Sequence, residues 1–400
     1  SGGGSAWSLL GWMAMLCGFM ILCFYAVVAG WSFSYLWKML TGAFAGATGD
    51  DMVGIFMANN ANPLNLGFWS TLVVVVTMLI VGKGVQAGIE RSVSWMMPGM
   101  VVMLAILILY GAFSGGFGEA WRFLFSFNAG SLSSEGMLAA LGHAFFTLSL
   151  ASGAILTYGS YLPARASISR TTLSVAAADT LVALMAGLAI FPIIFANGMS
   201  PGEGPGLIFM SLPLAFQAMP LGTLFGILFF VMLSMAALTS SISMVEATVS
   251  WLTDNKGVSR RTAAWGTGIV LWVVSTLAML SFNVAADWTL AGRHFFDWLD
   301  YLTSRWMMPL GGLGVALLAG FVLKSELMRD ELGLSPRWYA LWLFAVRYLA
   351  PLGILVIFVD ALGIARVEFG LHWRWLLGLL ALLTLVGELA SPRLRRALMG

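Results

Sequence analysis

Charge is what this chain of 400 residues has least of: Asp, Glu, Lys and Arg together make up 10% of it, where soluble domains carry about a quarter. That scarcity excludes a water-soluble globule. The net charge of +2 is also too small to suggest a nucleic-acid partner. Cysteine is nearly absent. Cys17 and Cys23 lie six positions apart in one apolar run, so neither a disulfide framework nor a metal-ligand spacing exists. His143, His294 and His372 are scattered and give no zinc pattern. No phosphate-cradling glycine loop or ATPase motif occurs, which leaves primary pumping unsupported. The Ser, His and Asp residues form no nucleophile–base–acid set, and His143 has no acid at a supporting spacing. An enzyme is therefore not expected.

Long apolar runs are present instead. A membrane-spanning helix needs about 20 apolar residues, and ten stretches qualify: 8–36, 68–87, 94–114, 137–162, 171–197, 221–250, 264–284, 304–323, 339–362 and 372–390. The fold class read from them is all-α and polytopic. Residues 1–400 form a single transmembrane domain, and the breaks carry nearly all the charge. The 46 glycines suit close helix packing in lipid. Residues 1–7, beginning Ser1-Gly2-Gly3-Gly4-Ser5, read as a flexible leader or cytoplasmic loop. They lack the basic region and cleavage pattern of a signal peptide. No initiator Met precedes them, and truncation at the N-terminus is expected.

Lys and Arg set the orientation. With the N-terminus cytoplasmic, fourteen fall inside, among them Lys83, Arg91, Lys256, Arg260 and Arg261; six fall outside, namely Lys38, Arg122, Arg293, Arg305, Arg366 and Arg374. Both termini are then cytoplasmic.

Two of the apolar stretches carry hydroxyl clusters. One is Gly142-His143-Ala144-Phe145-Phe146-Thr147-Leu148-Ser149-Leu150-Ala151-Ser152-Gly153; the other is Leu238-Thr239-Ser240-Ser241. A lone Thr in a membrane helix ordinarily bonds back to the preceding turn. Thr147, Ser149 and Ser152 around small residues favour a helix opened at mid-depth, where unwound carbonyls and hydroxyls can hold an ion or substrate. The small residues near Thr239 and Ser240 suggest a similar opening. Asp179 lies within an apolar helix, where a carboxylate must be paired, protonated or wetted; an ion ligand or proton acceptor is the functional reading, a helix–helix hydrogen bond the bland one. Glu246 reads as structural. Tyr25 sits at a central depth, which argues for a phenol donating to a buried group rather than an interfacial anchor. Asp254 and Asp300 lie at helix ends, where solvated acids need no role.

The run Phe145-Phe146-Thr147-Leu148-Ser149-Leu150 through Gly153-Ala154-Ile155-Leu156-Thr157-Tyr158-Gly159-Ser160-Tyr161 resembles the sixth helix of bacterial neurotransmitter:sodium symporters. Gly88-Ile89-Glu90-Arg91 and Leu238-Thr239-Ser240-Ser241-Ile242-Ser243 are similar to that family's helix 4–5 loop and eighth helix. The resemblance runs over essentially the whole chain. It implies a LeuT-type inverted-repeat fold and sodium-coupled uptake of an amino acid or related amine across the bacterial cytoplasmic membrane. It also implies that the ten spans are family helices 3–12, without the first two. Carried over by position, Tyr25 donates to the substrate carboxylate, and Phe146 closes over the substrate. Thr147, Ser149, Ser152, Ser240 and Met244 line the substrate pocket. Thr147 and Asp179 serve one sodium ion; the Ala236 carbonyl, Thr239 and Ser240 serve the other. Asp300 matches the outer gate, and Asp254 with Tyr161 the inner gate.

Three departures from the family pattern have consequences. Position 179 is usually Asn, and Ala183 stands where chloride-dependent members often have Ser; an anion at 179 implies chloride independence. His143 replaces a common Gln and is expected to bond Asp179. Ala151-Ser152 replaces Gly and a bulky residue, which suggests a roomier pocket for an aromatic or large aliphatic amino acid. Without the family's first helix, each sodium site is expected to be incomplete within this chain. The alternative reading is therefore a truncated, non-transporting membrane protein with a structural or regulatory role. Self-association into a homo-oligomer is left open.

Overall fold

The computed structural model describes residues 7–127, 133–163, 165–202 and 204–361. The leader and the 372–390 stretch lie outside the described residues. Along the chain run α1 (Ser8–Leu40), α2 (Gly49–Ala61), α3 (Pro63–Val81), α4 (Val85–Ala112), α5 (Phe117–Phe125), α6 (Ser134–Thr147) and α7 (Ala154–Ser160). They are followed by α8 (Ile168–Ala196), α9 (Gly204–Gln217), α10 (Gly222–Lys256), α11 (Arg260–Leu280), α12 (Phe295–Val322), α13 (Ser325–Leu332) and α14 (Pro336–Phe358). Among the described residues eight of these helices are long and apolar enough to cross a membrane, and α6 with α7 accounts for a ninth expected span in two pieces. No strand occurs among the described residues beyond one isolated bridge between Leu290 and Arg293.

Local chemistry sets the helix ends. The Thr48 hydroxyl accepts from the Asp51 backbone while the Asp51 carboxylate accepts from Thr48, a reciprocal cap that starts α2. The Thr48 backbone N–H and hydroxyl, both donating to that carboxylate, hold the exposed Asp51 carboxyl below its usual range. Asn62 caps α3 ahead of Pro63, and Ser259 caps α11. The left-handed Gly257 ends α10.

The chain forms two compact units, one of Ser1–Gly18, Asn128–Asp179 and Asp300–Gly400, the other of Phe19–Phe127 and Thr180–Leu299. In the second unit the core is aromatic. Trp31 meets Phe56, Phe209 and Phe282 edge-on at 5.4, 5.7 and 5.7 Å, and Tyr35 meets Phe209 at 5.0 Å. Each such pair adds about 0.5–1.5 kcal/mol beyond its buried area. Where helices approach closely, glycines make room: a Cβ on Gly268 would strike Met78, and one on Gly226 would strike Met39. In the first unit α12 plays that part. Gly311 seats Ala151, Gly312 seats the Phe145 ring and Gly314 seats Leu10.

Candidate functional site

The predicted opening at mid-helix is found in the first unit. α6 stops at Thr147, α7 starts at Ala154, and the six residues between them form turns. Ser149, Ala151 and Gly153 all have left-handed backbones, with φ of 52, 63 and 82°. For Ser149 and Ala151 that conformation costs about 1–2 kcal/mol each. Packing holds it in place: a Cβ on Gly311 would approach that of Ala151 to 2.8 Å, and one on Gly153 would come to 3.0 Å from the Ala14 carbonyl oxygen. Ser152 is buried and its hydroxyl donates to the Ser149 carbonyl at 2.9 Å. The carbonyls of Leu148 and Leu150 accept no hydrogen bond among the described residues. In a lipid-embedded helix such oxygens need water, an ion or a ligand.

Thr147, the last residue of α6, and Asp179, half-buried on α8, are brought together. The Thr147 hydroxyl lies 3.3 Å from both Asp179 Oδ2 and the Ala144 carbonyl oxygen. Bonds that long are weak, and the cluster of oxygens is of the kind a monovalent cation takes. The expected bond from His143 to Asp179 is not formed; His143 is exposed and makes no hydrogen bond among the described residues. One helical turn separates it from Thr147, and only the latter turns toward the carboxylate. Phe146 is 46% exposed. With Gly142 and Phe145 it borders a cavity of about 80 Å³ that Ser304, Met308, Pro309, Ile354 and Ile357 complete.

In the second unit the expected opening near Thr239 is absent: α10 runs unbroken from Gly222 to Lys256. The hydroxyls there satisfy themselves on their own helix, which keeps it closed. Thr239 donates to the Ala236 carbonyl at 2.9 Å, Ser241 to Ala237 at 2.9 Å and Ser243 to Thr239 at 2.9 Å. Ser240 differs: its hydroxyl makes no such bond on its own helix among the described residues, and it neighbours the Tyr25 hydroxyl of α1. Tyr25 packs on the small cluster of Ala29, Val73 and Ala237. Met244, one turn beyond Ser240, is half-buried.

Glu246 is fully buried and ion-paired with Arg260, whose Nε donates to the Val81 carbonyl at 3.0 Å. That clamp joins α10, α11 and the end of α3, the structural part expected of it. Asp300 is exposed, and its Oδ1 accepts from Ser304 at 2.8 Å. Asp254 is exposed near the end of α10, and Tyr161, just past α7, is 38% exposed. Sequence reasoning missed a polar network in the second unit. Asn59 Oδ1 accepts from Ser34 at 2.6 Å, from Lys38 and from Asn65 at 3.1 Å. The signal was Ser34 one turn before Lys38, which puts both on one helix face.

Comparison with known proteins agrees with this architecture. The sequence model of the Sodium:neurotransmitter symporter family matches residues 58–384. An uncharacterized sodium-dependent transporter, YhdH, of Bacillus subtilis is 36% identical over 364 residues, 90% of this chain and 81% of the relative. An uncharacterized sodium-dependent transporter of Haemophilus influenzae is 32% identical over 368 residues, 89% of this chain and 79% of the relative. Among solved structures, MhsT in complex with L-phenylalanine matches with a TM-score of 0.81 and 39% identity, over 90% of this chain and 82% of that one.

Proposed function

The chain belongs to the sodium:neurotransmitter symporter family, and on that premise we propose that it couples sodium entry to uptake of an amino acid by alternating access. Its relatives are transporters, not enzymes, and it is an integral membrane protein of LeuT-type fold. The reading rests above all on the strained break between α6 and α7, where the Leu148 and Leu150 carbonyls accept no hydrogen bond among the described residues, and on the Thr147–Asp179 pair. A sodium ion takes oxygen ligands, and this is where the first unit offers them undistorted by regular helix bonding. Thr147 and Asp179 serve one ion. In the second unit Ala236, Thr239 and Ser240 serve another, the Thr239 hydroxyl turning away from the Ala236 carbonyl to do so.

For the substrate, Tyr25 and Ser240 hold the carboxylate, Phe146 covers it, and Ser149, Ser152 and Met244 border its side chain. A solved relative that holds L-phenylalanine, together with Ser152 in place of a bulky residue, supports an aromatic or large aliphatic amino acid. Asp300 belongs to the outer gate, Asp254 and Tyr161 to the inner one. The carboxylate at Asp179 supplies the negative charge that chloride would otherwise bring, so chloride is not required. Both termini face the cytoplasm, as the Lys and Arg distribution supports. Uptake of each of the twenty amino acids, with sodium against potassium outside, tests the assignment. Transport of at least one aromatic or large aliphatic amino acid that stops in potassium is expected; equal transport of all in both salts contradicts it.

A further inference from the structure

Between α4 and α6 the chain forms α5 (Phe117–Phe125), whose side chains divide into three sectors. At about 100° per residue, Ala120, Phe123 and Leu124 fall on one side and Phe117, Trp121 and Phe125 next to them. Gly118, Glu119 and Arg122 lie opposite the first group. That first sector is packed. Ala120 is fully buried, Phe123 meets Phe191 and Phe195 of α8 at 4.8 and 5.7 Å, and Leu124 fills the space that Gly187 leaves open. Gly116, just before α5, comes so close to Pro192 and Ala196 of α8 that a Cβ would strike their backbones. The second sector has no such neighbour among the described residues. Trp121 stands between Phe117 and Phe125, with ring centres 6.2 and 4.5 Å apart, yet it is 51% exposed, and Phe125 is exposed as well. Glu119 and Arg122 are exposed on the third.

These contacts fix the level at which α5 lies. It runs beside residues 187–196, the last turns of the apolar helix α8, which carry no polar side chain and are followed at once by Asn197. At 1.5 Å per residue that stretch covers about 14 Å, so α5 flanks the end of a span, where hydrocarbon gives way to headgroups. Neither pure medium suits it. Water would face Trp121 and Phe125, with the exposed Phe113 and Phe127 just outside the helix, as a bare aromatic patch. Hydrocarbon would strand Glu119 and Arg122. The headgroup layer accommodates aromatic rings on one flank and charges on the other.

We propose that α5 rests in the headgroup layer of the bilayer, with Trp121 and Phe125 inserted among the lipids and Glu119 and Arg122 turned to water. The test uses the full chain in vesicles of phosphatidylethanolamine and phosphatidylglycerol. A nitroxide is attached to Trp121→Cys, Phe125→Cys or Glu119→Cys in turn, with the unaltered chain, whose Cys17 and Cys23 are buried, as background. Collisions with oxygen, which concentrates in lipid, are compared with collisions with a nickel chelate, which stays in water. Oxygen is expected to exceed the chelate about threefold or more at positions 121 and 125, with the order reversed at 119. A dominant chelate at 121 and 125 would place that flank in water and overturn the proposal. Exclusion of both reagents would mean that protein covers it, a further stretch of this chain or a second copy, and would overturn it equally. Oxygen in excess at all three positions would sink the whole helix into hydrocarbon, again against the proposal. Should Trp121→Cys fold poorly, Phe125→Cys decides alone, since both report on the same flank.

Discussion

At the scale of single residues, the two buried or half-buried carboxylates of the apolar helices are answered differently. Glu246 has a cation, Arg260, which in turn caps the Val81 carbonyl. Asp179 has a hydroxyl at 3.3 Å. Removing one member of a buried pair leaves the other uncompensated, at about 3–5 kcal/mol. Glu246→Gln is accordingly expected to lower the unfolding temperature in detergent markedly; an unchanged temperature would show the pair to be dispensable. For Asp179 the expectation concerns ions: replacing chloride by gluconate leaves uptake unaltered, and a strong loss would contradict the role given to this carboxylate. From the sequence both acids stood out, because charge in an apolar run is rare. The resemblance already implied Thr147 beside Asp179, but Arg260 did not stand out as the partner of Glu246, because a pairing between helices is fixed by packing. His143, one turn from Thr147, was the nearer guess for Asp179 and the wrong one.

At the scale of the element, the decisive contrast lies between the break in the 137–162 stretch and the continuity of α10. Both carry small residues and clustered hydroxyls, so both read as openings. What separates them is the backbone. Gly153 takes a left-handed conformation against the Ala14 carbonyl, whereas in α10 the hydroxyls of Thr239, Ser241 and Ser243 fold back on the preceding turn. A Gly in the run marked the real break; no Gly lies between Gly226 and Gly257 in α10. Gly153→Ala adds about 1–2 kcal/mol of left-handed strain and a contact with the Ala14 backbone. It is expected to reduce both thermal stability and uptake, and full activity in this variant would mean that the break tolerates a different geometry. The π-helical turns of α12 (Leu318–Val322) and α14 (Ala345–Leu349) left no trace in hydrophobic periodicity, which shifts too little over five residues to register.

At the scale of the whole molecule, nine of the ten expected spans fall among the described residues and their order was legible, because lipid demands long apolar runs whatever their packing. The family motifs were legible too, and the matches to known transporters agree with them. The division into two compact units was not, since helices α1 and α8 each contribute to both and no break in composition marks the change. Orientation follows from charge alone and is open to a direct check. Asn255→Cys, at the end of α10, is expected to react with a permeant thiol reagent only. Ala286→Cys, after α11, is expected to react with an impermeant one as well. Cys17 and Cys23 are buried and give little background. The reverse labelling would invert the topology.

All of this converges on whether the oxygens around the α6–α7 break hold a cation. Binding of radioactive sodium to the purified protein, measured for the unaltered chain and for Thr147→Val, asks the question without regard to which amino acid is carried. Saturable binding that potassium does not displace, weakened about tenfold or more by Thr147→Val, which removes a single hydroxyl ligand, is the predicted result. Sodium binding of equal strength in the two proteins, or none in the unaltered chain, would contradict it.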